Sequence, residues 1–113
     1  MIAILITADQ RVRPVEINGY EGLRSHFNGY PETVKPRRLD QPFCMLVDDA
    51  GKLKGLPVNE FASWLYEADR HGSYIVGDAF IMKQEWGEDG YDLVGLDAPD
   101  IHQIVKKYGL KPV

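Results

Sequence analysis

The chain has 113 residues, 44% of them hydrophobic and 27% charged, with a formal net charge of -4. That is enough chain to bury one core without a metal or a disulfide, too few negative charges for a nucleic-acid mimic or a disordered acidic tail, and the wrong sign for a general DNA binder, so nucleic acid is not an expected partner. The single cysteine, Cys44, can form no internal disulfide and asks for no oxidising compartment, which makes the cytosol the expected location.

The opening MIAILIT is apolar but short, and it lacks both a basic n-region and a small-residue cleavage site. It reads as a strand over residues 2–7, turning at residues 8–10 into a second strand over 12–17. Pro14 removes a ladder donor, which places that second strand at an edge. Asn18 and Gly19 then break the pattern. Tyr20, Leu23 and Phe27 recur at helical spacing, predicting a short helix over residues 20–28 with Gly29 as its left-handed stop. Residues 30–34 suit a strand limited by Pro31 and Pro36, and Lys35, Arg37 and Arg38 follow as a positive cluster.

Residues 43–47 (FCMLV) form a continuous apolar run, the pattern of a buried strand, closed by turn composition at Asp48, Asp49, Ala50 and Gly51. Lys52, Leu53 and Lys54 alternate; if they form a strand, the short turn makes it antiparallel to the preceding one. Asn59 is placed to cap a helix, accepting from an N–H of its first turn. Phe61, Trp64, Leu65 and Ala68 give that helix one apolar face to pack on the sheet, and Gly72 stops it. The longest strand is expected over residues 74–82, with Gly77 inside it marking a bulge or the close approach of another backbone. Residues 86–90 supply a turn and 91–94 return as a hairpin. Asp97 caps a last helix that tolerates Pro99 in its first turn, carries Ile101, Ile104, Val105 and Tyr108 on its apolar face and ends at Gly109. No segment reaches the roughly 20 apolar residues that span a bilayer, so a soluble protein with no membrane partner is expected.

The order β, β, α, β, β, α, β, β, α predicts a single α+β domain over residues 1–113: a mostly antiparallel or mixed sheet of five to six strands with three helices, the helices covering one face.

Chemical motifs are sparse. His26, His71 and His102 stand in separate segments, and Cys44 has no CxxC partner and sits in an apolar run, so no metal site and no thiolate nucleophile is expected. Ser25, Ser63 and Ser73 lie in no GxSxG elbow, and there is no Walker A or GxGxxG loop. The patterns assign no cofactor and no catalytic residue. Asp48 and Asp49 read as a solvated turn in preference to paired acid–base carboxylates, and Glu85, Glu88, Asp89 and Asp92 as a solvated acidic hairpin in preference to a cation loop. The candidate ligand-binding set is Arg37, Arg38, Lys52, Lys54, the Asn59 helix start and Tyr30. Together these could hold a small anion such as a nucleotide. The structural alternative makes the cations exposed edge charges and Asn59 only a cap.

Several short motifs resemble a domain-of-unknown-function family, number 3846. They are Gly29–Tyr30, the acidic-Gly turn of Asp49, Ala50 and Gly51, the run Leu56, Pro57, Val58, Asn59, the pair Gly77–Asp78 in an extended segment, and a C-terminal helix over residues 96–104. The chain departs from the family pattern in an insertion over residues 64–71 and an aromatic, acidic hairpin near Trp86. The resemblance implies a phage or mobile-element origin and supplies no activity. With no catalytic signature, the leading expectation is a small non-enzymatic accessory protein that binds a host protein in the bacterial cytosol, in a counter-defence role. The alternatives are capture of an anionic ligand, or an enzyme using Asp48 or Asp78 as a base.

Overall fold

The computed structural model describes residues 1–40, 42–88 and 90–108. Asp89 of the acidic hairpin, Gly109 as the stop of the last helix and the side chain of Tyr108 lie outside what it describes. In chain order the elements are β1 (Ile2–Ile6), β2 (Val12–Glu16), α1 (Gly19–Phe27), β3 (Pro31–Val34), β4 (Phe43–Asp48), α2 (Glu60–Tyr66), α3 (Ala68–His71), β5 (Ala79–Gly87), β6 (Gly90–Val94) and α4 (Ala98–Tyr108). The strands make one antiparallel sheet in the order β2-β1-β5-β4-β3, with β6 paired to β5. The radius of gyration, 13.1 Å, is that of one packed domain of this length. The α+β class therefore holds, with Pro14 on an edge strand as its missing donor requires.

The central strands β1, β4 and β5 are apolar on both sides because both faces of the sheet are covered. Ala3, Leu5, Cys44, Leu46, Phe80 and Met82 pack against Leu23 and Phe27 of α1. Their alternate neighbours Ile4, Ile6, Phe43 and Ile81 pack with Leu65 of α2 and Ile104 of α4 on the other face, and Met45, Val47 and Ala79 pack with Ala62 and Ile75. A two-sided core turns period-two strands into continuous apolar runs. It also corrects the expectation that the helices share one face.

Local departures have local causes. The helix expected from residue 59 to Gly72 is two helices, because Glu67 takes a left-handed conformation (φ 58) that ends α2 and starts α3; four helices result among the described residues in place of three. Residues 52–54 are turn, not strand, since the N–H of Lys54 returns to the carbonyl of Ala50 (3.0 Å) and that of Leu56 to Gly51 (3.1 Å). The longest strand begins at Ala79 and runs through Trp86, which had been assigned to the turn; Val76 makes only an isolated bridge to Val58. The left-handed stop of α1 is Asn28 (φ 51), not Gly29. At α4, Asp97 and Asp100 form a reciprocal cap: the N–H of Asp100 donates to Asp97 Oδ1 (2.9 Å) and that of Asp97 to Asp100 Oδ2 (3.0 Å).

Candidate functional site

Four of the five motifs that carry the family resemblance, all but the C-terminal helix, meet where β4 ends, β5 is about to begin and α1 stops. Asp48 closes β4 with its side chain 2% exposed. Its Oδ1 accepts from the N–H of Ala50 (2.9 Å) and its Oδ2 from Lys54 Nζ (2.7 Å). The expected solvated turn is thus half wrong: Asp49 is exposed, Asp48 is not. Lys54 also donates to the carbonyls of Phe27 (2.8 Å) and Asn28 (3.3 Å), so a cation sits on the last carbonyls of α1, where the helix dipole favours it. A Cβ on Gly29 would stand 3.2 Å from that ammonium.

Asn59 completes the junction. It is fully buried, its Oδ1 accepts from the N–H of Ala62 (3.1 Å) as the cap pattern predicts, and its Nδ2 donates to the carbonyls of Ile6 (3.0 Å) and Gly77 (2.9 Å). The N–H of Gly77 donates back to Pro57 (2.7 Å). Gly77 has φ +76, and a Cβ there would lie 2.7 Å from Leu56 Cδ1. Its requirement for glycine comes from the positive φ and from the Leu56 side chain, so the expected bulge or backbone approach inside a strand is replaced by a side-chain approach in an irregular segment.

Around this junction lies a cleft of about 220 Å³ lined by His26, Asp48, Lys54, Leu56, Pro57 and Asp78, among others. His26 Nε2 is 2.9 Å from Asp78 Oδ2, Asp78 Oδ1 accepts from the N–H of Ala8 (3.1 Å), and the His26 ring stands edge-on to Phe80 at 4.9 Å. Sequence reasoning weighed His26 only as a metal ligand, and no local signal marks a pair separated by 52 positions. Both oxygens of Asp48 and both of Asp78, the carboxylates offered as candidate bases, are engaged by these partners. Among the described residues no group of three or more His, Cys, Asp and Glu side chains could hold a metal ion.

The residues of the proposed anion set line different clefts, although Lys54 lies beside Gly29, the neighbour of Tyr30. Lys54 lines the junction cleft, Lys52 bonds Ser73 Oγ in a second cleft, Arg38 lines a third, and Tyr30 a fourth, under the Arg24 guanidinium at 4.1 Å. Arg37 is exposed and lines none of these clefts. Two of the N–H groups that open α2 are already bonded, Phe61 to Gln10 Oε1 (3.0 Å) and Ala62 to Asn59. Gln10 reaches there from the β1–β2 turn, where its own φ is +70.

The surface also carries an apolar groove of about 340 Å³, lined by Arg38, Val58, Glu60, Ser63, Trp64, Ala68, Asp69 and Tyr74. Trp64 was expected to pack inward with Leu65; instead α2 buries Ala62, Ser63 and Leu65 and leaves Trp64 45% exposed. Val58 is 46% and Tyr74 59% exposed. Trp64 is nonetheless held: the Arg38 guanidinium lies 4.6 Å from its ring centre and donates through Nε to its carbonyl (2.8 Å), and Phe61 stacks on it at 5.9 Å. Tyr74 is presented by its neighbour Ile75, whose N–H donates to Ser63 Oγ (2.9 Å) and whose carbonyl accepts from the same hydroxyl (3.2 Å) and from the N–H of Asn59 (2.8 Å).

No helix among the described residues is long and apolar enough to cross a membrane. Comparison with curated proteins and with solved structures finds no match to this chain. Comparison with protein families does: the domain of unknown function DUF3846 matches residues 1–109, nearly the whole sequence, and the chain belongs to that family.

Proposed function

We propose that this protein is a non-enzymatic binding module that holds a partner protein through the groove of Val58, Trp64 and Tyr74. One observation carries the reading: three large apolar side chains that water would be expected to drive inward stand exposed along one groove, and the tryptophan among them is fixed in place by Arg38 and Phe61. Tryptophan, tyrosine and arginine are the residue types that dominate binding energy at protein interfaces. A side chain already ordered before binding loses little further entropy when a partner arrives. In the phage or mobile-element setting that the family resemblance implies, the partner is a host protein and the role is counter-defence.

The experiment is affinity capture from a bacterial lysate with the native chain and with Tyr74→Ala and Trp64→Ala. The reading requires a specific partner retained by the native chain and lost by both variants while their melting temperatures stay within a few degrees of it. Retention indifferent to both substitutions removes the groove from the mechanism. The same preparation, heated with nucleotides and inorganic phosphate, addresses capture of a small anion. A true ligand at about 100 times its dissociation constant adds roughly 2.7 kcal/mol, so an anion site would be plain in the melting curve.

A further inference from the structure

We infer that the segment seated in this groove presents an apolar side chain next to a lysine or arginine, an inference that rests on the binding-module reading. The groove supplies both halves of that description. Its lining includes Ser63 and Ala68, each 4% exposed, and the exposed Val58, Trp64 and Tyr74, around a volume of about 340 Å³ that admits a branched or aromatic side chain. Its charge is uneven. The Arg38 guanidinium is laid over the Trp64 ring and bonded to the Trp64 carbonyl. The carboxylates of Glu60 and Asp69 are exposed on the same groove, and neither has a hydrogen-bond or ion-pair partner among the described residues. The neighbouring carboxylate, Glu67, is already closed on Arg70 at 3.2 Å.

Glu60 and Asp69 outnumber Arg38 along the groove, so its lining is net negative, on a chain whose net charge is also negative. An apolar segment with acidic flanks would bring like charges together around a partly dehydrated contact, whereas a lysine or arginine meets Glu60 or Asp69 without disturbing the Arg38–Trp64 stack. The pair thus sets which partners are excluded, and the aromatic walls set how tightly the accepted one is held.

The test is selection of a displayed random-peptide library on the immobilised full chain, followed by affinity measurement of synthesised winners against Trp64→Ala, Tyr74→Ala and the double variant Glu60→Gln/Asp69→Asn. The winners are expected to place Leu, Met, Phe or Trp within a few positions of Lys or Arg. Their affinity should fall roughly tenfold or more with either aromatic substitution and several-fold with the double variant, with a shallower dependence on salt. Winners lacking a cation, or indifferent to the double variant while still lost with Tyr74→Ala, overturn the charge assignment and leave the groove standing. An empty selection, or winners indifferent to both aromatic substitutions, overturns the groove and this inference together. Should Trp64→Ala melt early, Tyr74→Ala decides, because Tyr74 lies outside every helix and strand.

Discussion

The ammonium of Lys54 stands 2.7 Å from Oδ2 of Asp48, a carboxylate whose side chain is 2% exposed. The pair joins the end of β4 to the last carbonyls of α1, so one cation answers both a buried anion and a helix terminus. Removing the cation should cost more than removing the pair, because a lone buried carboxylate keeps its desolvation penalty with no compensation.

Lys54→Met should accordingly lower unfolding free energy by about 3 kcal/mol, the low end for a broken buried pair since the lysine side of this one is partly exposed. Asp48→Asn added to Lys54→Met should return part of the loss. Urea titration of the native chain and the single and double variants gives the comparison, and a double variant less stable than Lys54→Met would refute the account.

Asn59 separates two roles within one side chain. Asn59→Ala removes the α2 cap and the donors to Ile6 and Gly77, a loss of about 2–4 kcal/mol. Asn59→Asp keeps the cap acceptor but turns a carboxylate oxygen toward two carbonyls, so it should be at least as damaging. A fully stable aspartate variant would mean that the cap alone matters.

Gly77→Ala combines a backbone penalty at φ +76 with a methyl group placed 2.7 Å from Leu56 Cδ1. The expected loss is about 2 kcal/mol or more. Leu56→Ala in the same background should relieve the contact and not the dihedral, so thermal melts should show partial recovery relative to the sum of the single effects.

What the sequence made legible here is what neighbouring residues decide. Residues 43–47 read as a buried strand because five apolar residues in a row leave few alternatives, and Asn59 read as a cap because the N–H that donates to its side chain lies three residues on. The second function of Asn59, holding Ile6 and Gly77, depends on residues 53 and 18 positions away and leaves no local mark. The same holds for His26 with Asp78 and for Lys54 with the α1 carbonyls. The exposed Trp64 was missed for a different reason. The apolar stripe through Phe61, Trp64, Leu65 and Ala68 is one face that helical spacing allows, but α2 buries the adjacent face of Ala62 and Leu65 and leaves Trp64 outside it, and the left-handed Glu67 carries Ala68 into a separate helix. The cations were visible, but their gathering was a statement about tertiary neighbours, and in the fold they line different clefts.

The Asp97–Asp100 cap predicts how stability follows pH. Burial pushes the Asp100 carboxyl upward, but the N–H of Asp97 and the ammonium of Lys83, 2.7 Å away, outweigh it and hold the carboxyl below its ordinary value of 3.8. A carboxyl held lower in the folded than in the unfolded chain stabilises fully above the ordinary value and loses that contribution as pH falls through the folded one. Lys83 is displaced the other way, upward from 10.5, chiefly by its hydrogen bond to Asp100; its share is present at neutral pH and is lost as pH rises through the raised folded value. Asp100→Asn should thus be less stable than the native chain at pH 7 by about 1 kcal/mol, with the gap narrowing as pH drops below about 4. Urea midpoints of the two proteins across that range decide it. A gap that stays constant down to the lowest pH at which both still fold would mean that the Asp100 charge contributes nothing to the cap.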